Sequence, residues 1–232
     1  MLSTLDNILL SDDVSQNFYQ AYKNPDFKNW LNDFLPEVEK CRLQKQDNPW
    51  HIYGCLDHIL KSVEAINKQT QNLNPLERRK LAYTMFLHDI GKPDKYLRRY
   101  SKLYRREVDS FFNHNLQSRD IAKRVLTTDL GFSQEDSLEI QELVERHDMF
   151  MFITLENDYN PHHRVLTQSY LQEVKGELDQ NFDGQDMLKK LTMVGRADNM
   201  AQNPEMTKDS LRLIDKMEKM LDTPTQNQDP VQ

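Results

Sequence analysis

Apolar residues recur at intervals of three and four along most of the chain, which is the spacing of one face of an α-helix. Residues 1–50 predict short helices around an apolar face, and no stretch has the convincing alternation of a strand. The same spacing predicts longer helices over residues 52–68, 75 to the break at 91–93, 111–128, 134–148, 165–179, 184–202 and 204–221. The pattern therefore predicts an all-α fold.

Helix boundaries and polar stretches divide this pattern into parts. Asn74 followed by Pro75 is typical of a helix N-terminus, and Ser133 is a second candidate N-cap. We predict one globular domain in three parts: an N-terminal helical extension over 1–50, a core over 51–203, and a C-terminal helix with a frayed tail over 204–232.

Composition narrows the class of protein. The 232 residues are 38% hydrophobic and 29% charged, which is ordinary for a globular chain. The formal charge of −7 disfavours extensive nucleic-acid binding, because such surfaces are normally basic. Cys41 and Cys55 have no zinc-type spacing, and the N-terminal residues lack the pattern of a signal peptide. We expect a reduced, cytoplasmic protein without a membrane segment.

Candidate chemistry appears when the histidines are placed on their helices. Five predicted helices each direct a histidine or an aspartate towards their apolar face. These positions are His58, His88 with Asp89, His114, His147 and Asp198. A buried imidazole or carboxylate without a partner is costly, so we expect these groups to satisfy each other or to bind a metal.

The choice between these two explanations depends on whether the residues are considered singly or together. Any one of these histidines alone is more often a satisfied core residue than a ligand, whereas five inward polar positions together favour a shared centre. Four histidines and two aspartates supply enough donors for one or two ions. Imidazole and carboxylate ligands suit a divalent transition metal (Mn, Fe, Zn, Co or Ni) without choosing among them.

The order of these residues resembles the HD superfamily of metal-dependent phosphohydrolases. HDIGKP at 88–93 is similar to the motif of the HD domain attached to bacterial tRNA nucleotidyltransferases. We expect no nucleotidyltransferase head, because the first 50 residues are too short for one. Further similar segments are HIYGCLDHIL at 51–60, FFNHNLQSRDIAKRVL at 111–126, LVERHD at 143–148 and VGRADNMAQ at 194–202. One departure is Asn113, which stands where the family has glycine, and it leaves the tightness of that turn open.

The resemblance implies a fold, an HD-domain helical bundle, and a reaction. The expected activity is hydrolysis of a phosphoester or phosphoanhydride in a nucleotide or similar small phosphorylated metabolite. The resemblance implies a first metal site made by His58, His88, Asp89 and Asp198. His114 and His147 match the additional histidines of the two-metal branch. Asp89 would then be the bridging, catalytic carboxylate.

Other residues are candidates for contact with substrate. Lys92 closely follows the His-Asp doublet and is a second catalytic candidate beside Asp89, because its ammonium could meet a phosphate oxygen. The alternative is a solvated lysine at a helix end. His51 lies two helical turns before His58, and either substrate contact, support of a ligand or an exposed helix entry fits that position.

The segment 94–110 is basic and aromatic. Arg98, Arg99 and Arg105 lie among tyrosines there, a combination that suits phosphate and a nucleobase. The alternative is an amphipathic helix with a solvated charged face.

Three alternatives to hydrolysis of a small metabolite stay open. The chain could be a non-catalytic module for nucleotide sensing or partner docking, or a metal-free structural remnant. It could also act on an RNA-end phosphate or cyclic phosphate. The oligomeric state does not follow from the sequence.

Overall fold

Eleven α-helices dominate the structure, a computed structural model that describes residues 1–127, 130–158 and 160–223. The N-terminal helices are α1 (Leu2–Leu9), α2 (Val14–Tyr22), α3 (Pro25–Phe34) and α4 (Glu37–Leu43). The central helices are α5 (Cys55–Gln69), α6 (Pro75–Leu87), α7 (His114–Leu126) and α8 (Gln134–Arg146). The last are α9 (Gln168–Leu178), α10 (Gly184–Met200) and α11 (Lys208–Asp222). The all-α prediction is confirmed.

Two predicted helix starts are confirmed in atomic detail. The Asn74 side chain accepts a hydrogen bond from the Glu77 amide, and Pro75 occupies the first turn. Ser133 forms a capping box with Asp136 at the start of α8. Both caps satisfy backbone N–H groups that have no partner within the helix.

The expectation of no strands is wrong. Strands β1 (Leu97–Ser101) and β2 (Arg106–Ser110) form an antiparallel hairpin, and β3 (Ile153–Thr154) pairs in parallel with β4 (Arg164–Val165). An amphipathic helix over 94–110 is therefore also wrong. The physical reason is a turn at Arg105, whose φ of 52° reverses the chain and lets the strands form a ladder of hydrogen bonds.

Several helix boundaries also differ from the predictions. The helix expected from residue 111 begins at His114, because Asn113 has a left-handed φ of 61° that interrupts the helix. The helix expected from 204 begins at Lys208, after a turn in which the Asn203 side chain accepts from the Glu205 amide. The predicted frayed tail lies outside the described residues from 224 onward.

Helices α5, α6 and α10 form the centre of the molecule, and the N-terminal helices pack against α5 and α6. A continuous hydrophobic core runs from Leu5 in α1 to Met217 in α11. No helix among the described residues has the length and apolar character needed to cross a membrane. The arrangement brings residues from five central elements together on the inside.

Gly195 is expected to be intolerant of even one added methyl group. A Cβ at this position of α10 would lie 2.2 Å from the ring of Phe150. We expect Gly195→Ala to lower the free energy of unfolding by about 1–3 kcal/mol, because overpacking forces neighbours out of place. Gly176→Ala is the matched control, since a Cβ there meets nothing within 4 Å on α9. Urea unfolding of both variants tests this, and equal stabilities would contradict it.

Candidate metal centre

The six predicted ligands meet at one place inside the bundle. His58 lies in α5 and Asp198 in α10, whereas the other four lie at helix termini. His88 and Asp89 directly follow α6, His147 directly follows α8, and His114 is the first residue of α7. All six side chains are buried or nearly so.

Close packing of α7 against the chain after α6 brings His114 towards Asp89. A Cβ at Gly91 would lie 2.6 Å from the Ser118 amide nitrogen and 2.8 Å from the His114 carbonyl oxygen. Only glycine permits this approach, and the Gly91 amide also donates to Ser118 Oγ at 3.0 Å. Asn113 takes a left-handed conformation, which asparagine tolerates better than most residues.

The first group of ligands contains His58, His88, Asp89 and Asp198, whose ligand atoms all lie within 4.8 Å of one another. His58 Nε2 lies 3.0 Å from Asp89 Oδ2 and 3.0 Å from Asp198 Oδ1. The Nε2 atoms of His58 and His88 are 3.3 Å apart. Two nitrogens bound to one ion at about 2.0–2.1 Å lie roughly 2.9–3.4 Å apart, so this spacing fits a shared metal.

The second group contains Asp89, His114 and His147. His114 Nε2 lies 3.0 Å from Asp89 Oδ1, and His147 Nε2 lies 3.6 Å from the same oxygen. The two histidine Nε2 atoms are 3.2 Å apart. Asp89 therefore belongs to both groups and turns one carboxylate oxygen towards each.

Hydrogen bonds behind the histidines orient their rings. In each of the four, Nδ1 lies within 2.6–3.1 Å of a backbone carbonyl oxygen, so it carries the hydrogen and donates it. In the neutral ring, this leaves the Nε2 lone pair directed into the centre. Such support from a backbone carbonyl is usual for metal-binding histidines.

The two buried oxygens of Asp89 also indicate that the centre fits a cation. Neither oxygen has a partner in hydrogen-bond geometry, although His58, His114 and Lys92 lie at ion-pair distance. Facing lone pairs and an unsatisfied buried carboxylate require positive charge between them. The buried His/Asp groups could thus hold a metal ion, and their donor chemistry does not indicate which one.

Without a metal, protons take its place. Burial opposes protonation of His58, but Asp198 and Asp89 outweigh it and raise the pKa to about 9. Burial likewise opposes protonation of His88, but the negative charges of Asp89 and Asp198 raise its pKa to about 9. Burial raises the pKa values of the two aspartates, yet Lys92 and His88 hold that of Asp89, and His58 and His88 that of Asp198, well below the usual value.

We expect metal affinity to fall as the pH is lowered from 8 towards 6, because a metal must displace the protons on His58 and His88. Below a pKa of about 9, each displaced proton costs about tenfold in apparent affinity per pH unit. Competition with a chelating dye, corrected for the dye's own titration, measures this. An affinity independent of pH over that range would contradict it.

Lys92 is buried with its ammonium nitrogen against three protein groups, so a solvated lysine at a helix end is wrong. Its Nζ lies 2.5 Å from Asp89 Oδ2, 2.9 Å from Gln46 Oε1 and 3.1 Å from His51 Nε2. Asn48 Oδ1 in turn accepts from His51 Nδ1 at 2.8 Å. This chain of contacts supports the Asp89 carboxylate from the α4–α5 connector.

The basic segment lies beside this centre and not within it. Arg98 forms ion pairs with Asp47 and Asp109, both at short distance. Arg99 and Arg105 lie exposed on the β1–β2 hairpin. The structure therefore brings Lys92 and His51 to the metal ligands, but it does not bring the three arginines there.

The sequence reasoning missed a residue that holds Asp198. The Gln202 amide donates to both Asp198 oxygens, at 3.1 and 3.0 Å. The signal was available, because Gln202 follows Asp198 by four residues and shares its helical face.

Gln202→Leu should weaken metal binding by about 10–100-fold, since the amide that orients the Asp198 ligand is lost. Gln69→Leu is a matched control, because the Gln69 amide donates only to backbone carbonyls. Chelator competition on both variants gives the comparison. Unchanged affinity in Gln202→Leu would show that Asp198 needs no such support.

The centre reaches solvent on one side. The Asp198 and His114 side chains are 13% and 12% exposed, whereas those of His58, His88 and Asp89 are at most 1% exposed. A ligand from solution would therefore reach the centre past Asp198 and His114.

Comparison with known proteins does not assign the chain to a family. No protein-family model matches the chain, and no curated protein matches it significantly.

Proposed function

We propose that this protein is a metal-dependent phosphohydrolase of the HD type, acting on a phosphoester or phosphoanhydride of a nucleotide or a similar small phosphorylated metabolite. The observation that carries the proposal is the position of Asp89 between two ligand groups. A carboxylate shared in this way suits a pair of ions, and paired ions are typical of enzymes that cleave phosphate bonds.

The six candidate ligands would form two ion sites. His58, His88, Asp89 and Asp198 would hold one divalent ion, and Asp89, His114 and His147 a second. When bound, such ions polarise phosphoryl oxygens and lower the pKa of water, which supplies a nucleophile near neutral pH. The backbone carbonyls fix the four imidazole rings, so the ligands are oriented before an ion arrives.

Lys92 acts on the shared carboxylate. Its ammonium lies against Asp89 Oδ2 and keeps that group ionised inside the protein. Substrate would enter on the side of His114 and Asp198, where the centre is open to solvent. A phosphate group suits this approach, because the loaded centre would carry net positive charge.

A phosphate-release panel tests the proposal directly. Metal-stripped protein is reloaded separately with Mn, Fe, Zn, Co or Ni and offered mononucleotides, cyclic nucleotides, dinucleoside polyphosphates and sugar phosphates. We expect turnover with at least one metal and its loss on chelation. Metal and nucleotide binding without turnover across the panel would contradict hydrolysis and favour a sensing module. Absence of any bound metal would contradict both.

A further inference from the structure

The β1–β2 hairpin concentrates positive charge in an acidic protein. Residues 95–106 contain six lysines and arginines, three tyrosines and no acidic residue. The whole chain carries a formal charge of −7, so the residues outside this segment together carry −13. The hairpin itself, over residues 97–110, holds five of these cations against two acidic residues, Glu107 and Asp109, so it is a local basic surface on an otherwise acidic molecule.

Only some of these cations serve the fold. Arg98 and Arg106 each lie 2.8 Å from a carboxylate oxygen of Asp47, which ties the hairpin to the α4–α5 connector. Arg99, Lys102 and Arg105, here called the tip cations, are exposed. Within the described part of the chain, no carboxylate lies at ion-pair distance from any of the three. Their charges are available to an anionic ligand.

Exposed apolar surface accompanies the tip cations. The exposed fractions of Tyr96, Tyr100 and Leu103 are 46%, 62% and 80%. Strand β1 is also the outer strand of the hairpin, because β2 contacts the connector through the Asp109 amide and the Asp47 carbonyl. Successive side chains of a strand alternate between its faces, so Tyr100 lies on the face opposite to Arg99. A chain that crosses the edge of β1 can stack a nucleobase on the tyrosine ring while the tip cations bind its phosphates.

The hairpin lies next to the metal centre along the chain. It begins five residues after Lys92, and its end leads through Phe111, whose carbonyl accepts from His114 Nδ1 at 2.8 Å. A strand of five residues spans about 17 Å. A ligand that runs along the hairpin from its base to the tip cations must therefore be longer than a single nucleotide.

We infer that the β1–β2 hairpin is a docking surface for single-stranded nucleic acid, with phosphates on the tip cations and a base on Tyr100. The acidic remainder of the chain disfavours a duplex, which needs a broader basic surface. Binding by the hairpin goes beyond the proposed function and does not require hydrolysis. That the bound strand presents its end to the metal centre rests on the proposed function.

Fluorescence anisotropy with metal-stripped, full-length protein tests the docking surface. The probes are labelled single strands of RNA and DNA, about 12 nucleotides long, titrated at several salt concentrations. We expect Arg99→Gln/Lys102→Gln/Arg105→Gln to weaken binding about tenfold or more. For this variant, the slope of log affinity against log salt concentration should be less steep by about 2, because three phosphate contacts are lost. Tyr100→Ala should weaken binding about fivefold or more.

The matched control removes the same charge elsewhere. Lys68, Lys123 and Lys216 are exposed and lie on α5, α7 and α11. Lys68→Gln/Lys123→Gln/Lys216→Gln should leave affinity and salt slope close to those of the unchanged protein. Equal weakening by both triple variants, or no binding by the unchanged protein, would overturn the inference. Equally tight, tip-dependent binding of polyglutamate would overturn it in favour of an acidic protein partner.

A second assay separates this inference from the proposed function. If both hold, the tip variant hydrolyses a mononucleotide normally but shows a raised KM for an oligonucleotide end, with kcat unchanged. Tip-dependent binding without hydrolysis of any phosphate ester would support the docking surface and contradict the phosphohydrolase. Hydrolysis without tip-dependent binding would support the phosphohydrolase and contradict the docking surface.

Discussion

Asp89→Asn should abolish metal-dependent hydrolysis and reduce bound metal from near two equivalents to close to zero. The two Asp89 oxygens face different ligand groups, so this one substitution weakens both. Asparagine keeps the shape of the side chain but replaces a charged ligand with a neutral amide. We expect at least about a 10³-fold loss of activity, because paired ions supply most of the catalysis in such centres.

Metal analysis beside activity makes this expectation specific. Asp109→Asn is the control: Asp109 is also a buried carboxylate, but it pairs with Arg98 outside the ligand groups. The control should lose stability and keep its metal. If Asp89→Asn retains one equivalent, His58, His88 and Asp198 hold an ion without it. If it retains two equivalents and full activity, the bridging role of Asp89 is wrong.

Lys92→Met should destabilise the metal-free protein by about 3–5 kcal/mol, because a buried carboxylate loses its ammonium partner. The loss should be smaller with metal present, since bound cations then compensate the charge of Asp89. Urea unfolding in chelator and in excess metal measures the difference. This dependence on metal distinguishes an electrostatic role of Lys92 from simple packing of its long side chain.

Lys40→Met is the matched control for Lys92→Met. Lys40 also pairs with an aspartate, Asp94, at 2.7 Å, but both side chains are substantially exposed. Its substitution should cost less than about 1 kcal/mol with or without metal. Equal losses for Lys92→Met in chelator and in metal would contradict a link to the metal centre. A raised KM with unchanged stability and metal content would support the original expectation of direct substrate contact.

The hairpin shows why some local structure could not be predicted. In β2, the neighbouring residues Val108 and Asp109 are both buried, while four of the five β1 residues are exposed. Neither strand therefore shows the alternation of apolar and polar residues that identifies a half-buried strand. Contacts with the connector, such as Arg98 with Asp47, hold the hairpin and are distant in sequence.

The spacing of apolar residues was enough to identify the helices, because a helical repeat shows which face is buried. The same spacing placed five of the six candidate ligands on buried faces: His58, His88, His114, His147 and Asp198. The resemblance proposed how these residues group. Tertiary structure alone decided that Asp89 stands between two groups, that Lys92 is enclosed by the connector, and that the three arginines lie outside the centre. Periodicity carries no information on the distance between elements, which depends on packing such as the close approach of α7 at Gly91.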